Sequence, residues 1–177
     1  MTSMSRRLAH SALFAALAGS ALAATPAPFS RSAVDFVRDE IHVGINIGNT
    51  LDVPSGNETD WGNAKITREL IHAYRAKGFD TVRVPVTWSR RFDHDAPGHP
   101  IEPAFLARVK EVVGWCLDEG LVTIVNIHHD GGDSGPPFSW LTIDGDPAHE
   151  AAAEEILRDL WTQIAQAFAG AGERLVF

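Results

Sequence analysis

The feature that most constrains the fold is a repeated alternation: a short apolar run, then a longer segment whose apolar residues return at helical spacing. Residues 41–48, IHVGINIG, form the first run; Ile66, Leu70, Ile71 and Tyr74 then share one helical face, and Gly78 closes it. Residues 79–86, FDTVRVPV, form the second. The helix behind them opens with Pro103 and turns Leu106, Val109, Val113, Cys116 and Leu117 inward before Gly120. Residues 121–127, LVTIVNI, form the third, followed by Asp146 as N-cap, Pro147 in the first turn, and a face of Ile156, Leu157, Leu160, Trp161, Ile164 and Phe168. ERLVF, at 173–177, starts a fourth run. Strands separated by helices pair in parallel and are covered by those helices, so the chain is α/β, either a (β/α) barrel or a doubly wound sheet. Periodicity alone leaves both open.

The loops favour the barrel. Polar residues collect behind each strand: Asn46 and Asn49 after the first, Trp88 and Arg90 after the second, His128, His129 and Asp130 after the third. The connections behind the helices are short. Barrel enzymes build their active sites from the loops that follow the strands, while the opposite rim only holds the structure together. A doubly wound nucleotide binder would place a glycine-rich phosphate turn straight ahead of its first helix; the glycines of GINIGNT lie within or at the end of the strand, with no helix directly behind.

Side-chain alternation then assigns faces. Val122, Ile124, Asn126 and His128 share one side of the third strand, which points His128 into the barrel mouth and His129 away from it or onto the loop. Adjacent imidazoles on opposite faces do not readily hold one metal. On the second strand Val82, Val84 and Val86 face the helices, leaving Thr81 and Arg83 inward. A guanidinium inside a barrel needs a carboxylate partner, because an unpaired buried charge is costly, and the strands offer none.

Composition sets the class. With 45% hydrophobic and 21% charged residues, the 177-residue chain can bury the core of one domain, and a net charge of −8 leaves no basic stripe for nucleic acid. A neutral substrate fits better. Residues 1–23 are expected to be a signal peptide: Arg6 and Arg7, then the apolar LAHSALFAALAGS, then the Ala21-Leu22-Ala23 cleavage pattern. That apolar stretch falls short of the roughly 20 residues that span a bilayer, so the expectation is release to the periplasm or medium, not membrane anchoring. Residues 24–40 are expected to be linker and lead-in, and 41–177 the domain. Cys116 is the only cysteine, which excludes an internal disulfide, and its inward position makes it a packing residue.

Four stretches in order, GINIGNTLD (44–52), DWGN (60–63), GFDTVRVPVTW (78–88) and VNIHHD (125–130), resemble the N-terminal half of glycoside hydrolase family 5, the endoglucanase and cellulase family. The resemblance runs from about Val43 to Phe177 and implies a (β/α)8 TIM barrel, represented here by strands 1–4, that hydrolyses a β-linked polysaccharide with retention. It further implies that Arg83 pairs with a nucleophile glutamate and that His128 hydrogen-bonds near that nucleophile and the sugar. Asn49, Asp52 and His129 would contact sugars, and Asn46 would brace the strand end. Trp61, Trp88 and Trp140, in the loops, could stack on pyranose rings or merely pack, whereas Trp115 and Trp161 belong to helix faces. Glu58 and Asp133 read as solvated loop acids. No cofactor or metal is implied, and the expected partner is a β-glucan, with xyloglucan or mannan as further possibilities, bound by a monomer.

The family's two catalytic glutamates follow its fourth and seventh strands, and neither position is reached here. About 150 residues remain behind the signal peptide, where a whole barrel takes about 250. The expectation is that the chain alone is inactive, since retaining hydrolysis needs two carboxyls about 5–5.5 Å apart. Two other classes stay in view. One is a sugar-binding chain without catalysis; the other is a metal-dependent barrel hydrolase using His128, His129 and Asp130, although such barrels prefer His-x-His, which keeps both ligands on one face.

Overall fold

The structure, a computed structural model, describes residues 31–131, 135 and 137–177. The expected signal peptide and Asp133 lie outside the described residues. The described chain runs α1 (Ala33–Glu40), β1 (Gly44–Asn46), α2 (Arg68–Ala76), β2 (Thr81–Val86), α3 (Pro103–Asp118), β3 (Val122–Ile127), α4 (Pro147–Ala167) and β4 (Leu175–Val176).

Part of the expected linker is thus a helix. Ser32 caps α1, its hydroxyl accepting the Asp35 N–H at 3.1 Å, and a helix of eight residues needs tertiary support to persist. Ion pairs from Arg31 and Arg174 to Glu40 supply it, fastening α1 beside the start of β4. β1 is shorter than its apolar run for a similar reason: the N–H groups of His42 and Val43 are taken by the Asp80 carboxylate, each at 3.1 Å, instead of by a neighbouring strand.

All strand pairs are parallel, in the order β1-β2-β3-β4. Sequential order without a reversal is what a barrel segment shows; a doubly wound sheet reverses at a switch point. Helix ends follow the sequence signals. Thr67 and Asp146 cap α2 and α4 through their side chains, and Gly78 and Gly120 end α2 and α3 with φ of +93° and +72°, a conformation that L side chains resist.

The core lies between the sheet and the helices. Val82, Val84 and Val86 are fully buried against a layer that includes Ile71, Val109, Val112, Val113, Cys116, Leu160 and Ile164. Each such side chain contributes about 1.5–3 kcal/mol on leaving water. Burial also pushes the Cys116 thiol up to about 12, which leaves it an inert packing group. The register places Asn46 beside Arg83, and Arg83 beside Ile124, so these three share the opposite, inner face, as alternation requires.

Candidate active site

The C-terminal ends of β1, β2 and β3 are tied to one another, and the ties position the site. The Thr87 hydroxyl donates to the Asp52 carbonyl at 2.7 Å and accepts the His129 N–H at 3.2 Å, while the His128 N–H reaches the Val86 carbonyl at 2.9 Å. Asp130 is the deepest of these links. Its buried carboxylate accepts the Trp88 N–H at 3.0 Å, the Ser89 N–H at 2.6 Å and the Trp140 indole N–H at 3.3 Å, together with the Ser89 hydroxyl. A carboxylate with that many donors is satisfied without a cation.

On this frame Arg83 projects from β2 with its guanidinium shared between two neighbours. Nη1 donates to Asn46 Oδ1 at 3.0 Å and Nη2 to His128 Nδ1 at 3.1 Å. Because arginine only donates, His128 must accept at Nδ1 and carry its hydrogen on Nε2. Burial, then the proximity of His129 and Arg83, lowers the His128 pKa, which favours that neutral form. Asn46 therefore braces Arg83. Arg83 makes no ion pair among the described residues, so the partner its charge calls for is still open.

Of the two placements expected for His129, the structure shows the one onto the loop. It does not turn away: the two imidazole centroids are 4.3 Å apart, and each Nε2 lies 4.0 Å from Oδ2 of Asp52. The strand has ended at Ile127, so strict alternation no longer governs the next residues. Asp52 is buried, with Oδ1 accepting the Thr50 N–H at 2.8 Å and Oδ2 facing the imidazoles. Asp130, the acid expected beside the histidines in a metal site, is committed to Trp88, Ser89 and Trp140 and cannot serve there.

The tryptophans separate by environment. Trp61 is 48% exposed and meets His129 edge-on at 5.5 Å, placing an aromatic surface at the mouth. Trp140 is half-buried, held by Asp130 and edge-on to Phe92 at 5.9 Å. Trp88 is fully buried against Phe105, so it is a core residue and offers no face to a sugar. Its position continues the outward series of Val82, Val84 and Val86, a signal present in the sequence. Asn49 is exposed in a left-handed conformation with φ of +57°, one that asparagine tolerates well. Glu58 is not a solvated acid: Arg108 holds it through two hydrogen bonds, at 2.7 and 3.0 Å. Burial would raise its pKa, but the Arg108 hydrogen bonds and charge outweigh that and hold it low. Thr87, Ser89 and Asp130, which organise the site, bear few marks in the sequence beyond the acid behind the histidine pair.

The sheet of sequential parallel strands thus carries an arginine, two histidines and an exposed tryptophan on its C-terminal rim, the side on which barrel enzymes build their active sites. The chain belongs to glycosyl hydrolase family 5, whose cellulase model matches residues 46–177. It is 42% identical over 146 residues to the cellulase/esterase CelE of Acetivibrio thermocellus, covering 82% of this chain and 16% of that protein. Endoglucanase A of Ruminococcus albus is 37% identical over 150 residues, covering 82% of this chain and 38% of its own length. Among solved structures, a family 5 xyloglucanase from Paenibacillus pabuli superposes with a TM-score of 0.71 at 37% identity, covering 77% of this chain and 38% of that one. The chain thus spans well under half the length of these relatives, and its fold is a partial (β/α)8 barrel.

Proposed function

We propose that the chain supplies one side of the active site of a secreted, retaining endo-β-1,4-glucanase acting on cellulose-type β-glucan or xyloglucan. The observation that carries this is the Arg83–His128 contact at 3.1 Å across adjacent strand ends, with no carboxylate paired to the guanidinium among the described residues. A cation so placed keeps a catalytic carboxylate ionised for attack at an anomeric carbon. His128 presents Nε2–H as a donor, His129 and Asn49 offer polar contacts to hydroxyls, and Trp61 offers a stacking face. Relatives described as endoglucanases and a xyloglucanase support the substrate class.

Of the acids on the described rim, Asp130 organises the loops, and Asp52 is buried with Oδ1 on the Thr50 N–H and Oδ2 towards the histidines, neither paired with Arg83. By the family resemblance, the two carboxyls of retaining chemistry are the glutamates that follow the fourth and seventh strands of a complete barrel. In such a protein the reaction needs no metal or cofactor from these residues, and the enzyme acts as a monomer after its signal peptide is removed.

The test compares reducing-end release from carboxymethyl cellulose, xyloglucan and mannan by the 177-residue chain and by a polypeptide carrying the complete family 5 domain. The chain alone is expected to be inactive and the complete domain active on the glucans, with Arg83→Ala lowering kcat at least a hundredfold. Turnover by the chain alone, or an Arg83→Ala enzyme with unchanged kcat, would overturn the proposal. N-terminal sequencing of the exported protein tests the start at Ala24.

A further inference from the structure

Asp52, His128 and His129 present ligand atoms that all fall within 4.8 Å of one another. The two carboxylate-to-imidazole gaps of 4.0 Å are too wide for hydrogen bonds. They are close to what a cation would draw together, since donors about 2.0–2.1 Å from a tetrahedral ion stand about 3.3 Å apart. The surroundings leave these atoms available. Oδ1 of Asp52 is occupied by the Thr50 N–H, so Oδ2 alone faces the imidazoles. Asp52 is 4% exposed in its side chain, so its carboxylate is already fixed in place, whereas the imidazoles are open enough to be reached from solvent.

We propose that Asp52, His128 and His129 bind a zinc-type divalent cation, and that its binding blocks the active site instead of serving it. Two imidazoles and one carboxylate suit zinc better than magnesium or calcium, and water can complete the coordination. The inhibitory sense follows from the tautomer and rests on the function proposed above. His128 can ligate through Nε2 only if its hydrogen moves to Nδ1, where it meets the Arg83 N–H donor head-on. Metal binding and the Arg83–His128 hydrogen bond are therefore mutually exclusive. A bound cation also covers the imidazoles that would face sugar and adds positive charge beside Arg83. Among the described residues, the other histidine–carboxylate pairs, His149–Asp144 among them, bring two ligands together and lack the third.

Calorimetric titration of the chelator-treated chain with zinc chloride tests the site without any glycan. The expected result is one saturable site, weakened at least tenfold in Asp52→Asn and in His129→Gln, tightened severalfold in Arg83→Met, and unchanged in His149→Gln. His129 is partly exposed, so His129→Gln is informative even if Asp52→Asn fails to fold. No saturable binding at millimolar zinc, unchanged affinity in His129→Gln, or lost affinity in His149→Gln would overturn the proposal. In a polypeptide with the complete domain, zinc should inhibit glucan hydrolysis reversibly by chelator, at tenfold higher concentration in His129→Gln. Zinc binding without glucan hydrolysis would sink the functional proposal and leave the site standing; full hydrolysis with zinc bound there would sink the inhibitory role.

Discussion

Replacing Asp130 by asparagine isolates the link that ties the end of β3 to the loop behind β2. Oδ1 takes the Ser89 N–H at 2.6 Å, the Ser89 hydroxyl and the Trp140 indole N–H at 3.3 Å, and the Trp88 N–H lies 3.0 Å from both oxygens. Asparagine keeps one acceptor there but loses the charge, which lowers each retained bond from about 1.5–3 to about 0.5–1.5 kcal/mol. Its NH2 replaces Oδ2 and confronts the Trp88 N–H, and every hydrogen-bonding neighbour recorded for this carboxylate is a donor. Relief of carboxylate desolvation works in the opposite direction, but an amide with no acceptor does not realise that gain. The net loss is about 3 kcal/mol, a large share of the roughly 5–15 kcal/mol that stabilises a domain. Urea unfolding followed by circular dichroism should show it, with a melting temperature lower by about 6–12 °C. A loss below about 1 kcal/mol would refute the assignment of Asp130 as the organising acceptor.

The tryptophans should divide by burial: Trp88→Ala is expected to cost about 3–5 kcal/mol in urea unfolding, and Trp61→Ala to stay within about 0.5 kcal/mol while weakening glucan retention in affinity electrophoresis. Leu160→Ala, which empties a fully buried position under the sheet, should cost about 2–5 kcal/mol by the same unfolding measurement. Stability should also depend on His128 with a definite sign. Because its folded pKa is lowered, the unfolded chain takes up the proton first as pH falls below about 6.5. Its contribution is complete above that value and lost as pH drops towards the folded pKa, so urea midpoints of His128→Gln should fall less steeply with acid than those of the unaltered chain. Cys116 should resist a thiol reagent at pH 8 in the folded chain and react at once in denaturant, which a colorimetric thiol assay would show.

Much of the fold was legible because its signals are local. Apolar runs at strand length, Thr67 and Asp146 ahead of their helices, and Gly78 and Gly120 behind theirs each act within a few residues, so the order of elements and the inward turn of Arg83 could be read without coordinates. The four linked stretches carried the family. The error at Trp88 arose where one local rule was not extended far enough. Alternation beyond Ile127, where β3 stops, left His129 turned away or onto the loop, and its contacts with Asp52 and Trp61 decided for the loop; the same alternation, continued two residues past Val86, would have sent Trp88 into the core. The helix at Ala33–Glu40 escaped because its stability comes from Arg31 and from Arg174, more than a hundred residues away.

By itself, then, the sequence determined a parallel α/β chain of family 5 type with an arginine and a histidine on the inner rim, because strand period, helix period and capping are written residue by residue. Only the tertiary structure decided which acid stands where: Asp130 bonds to the loop behind β2, Asp52 faces the two imidazoles, and Glu58 is claimed by Arg108. The physical reason is that an acid's role is set by the donors and charges that folding brings within about 3–4 Å, and those partners lie tens of residues away along the chain.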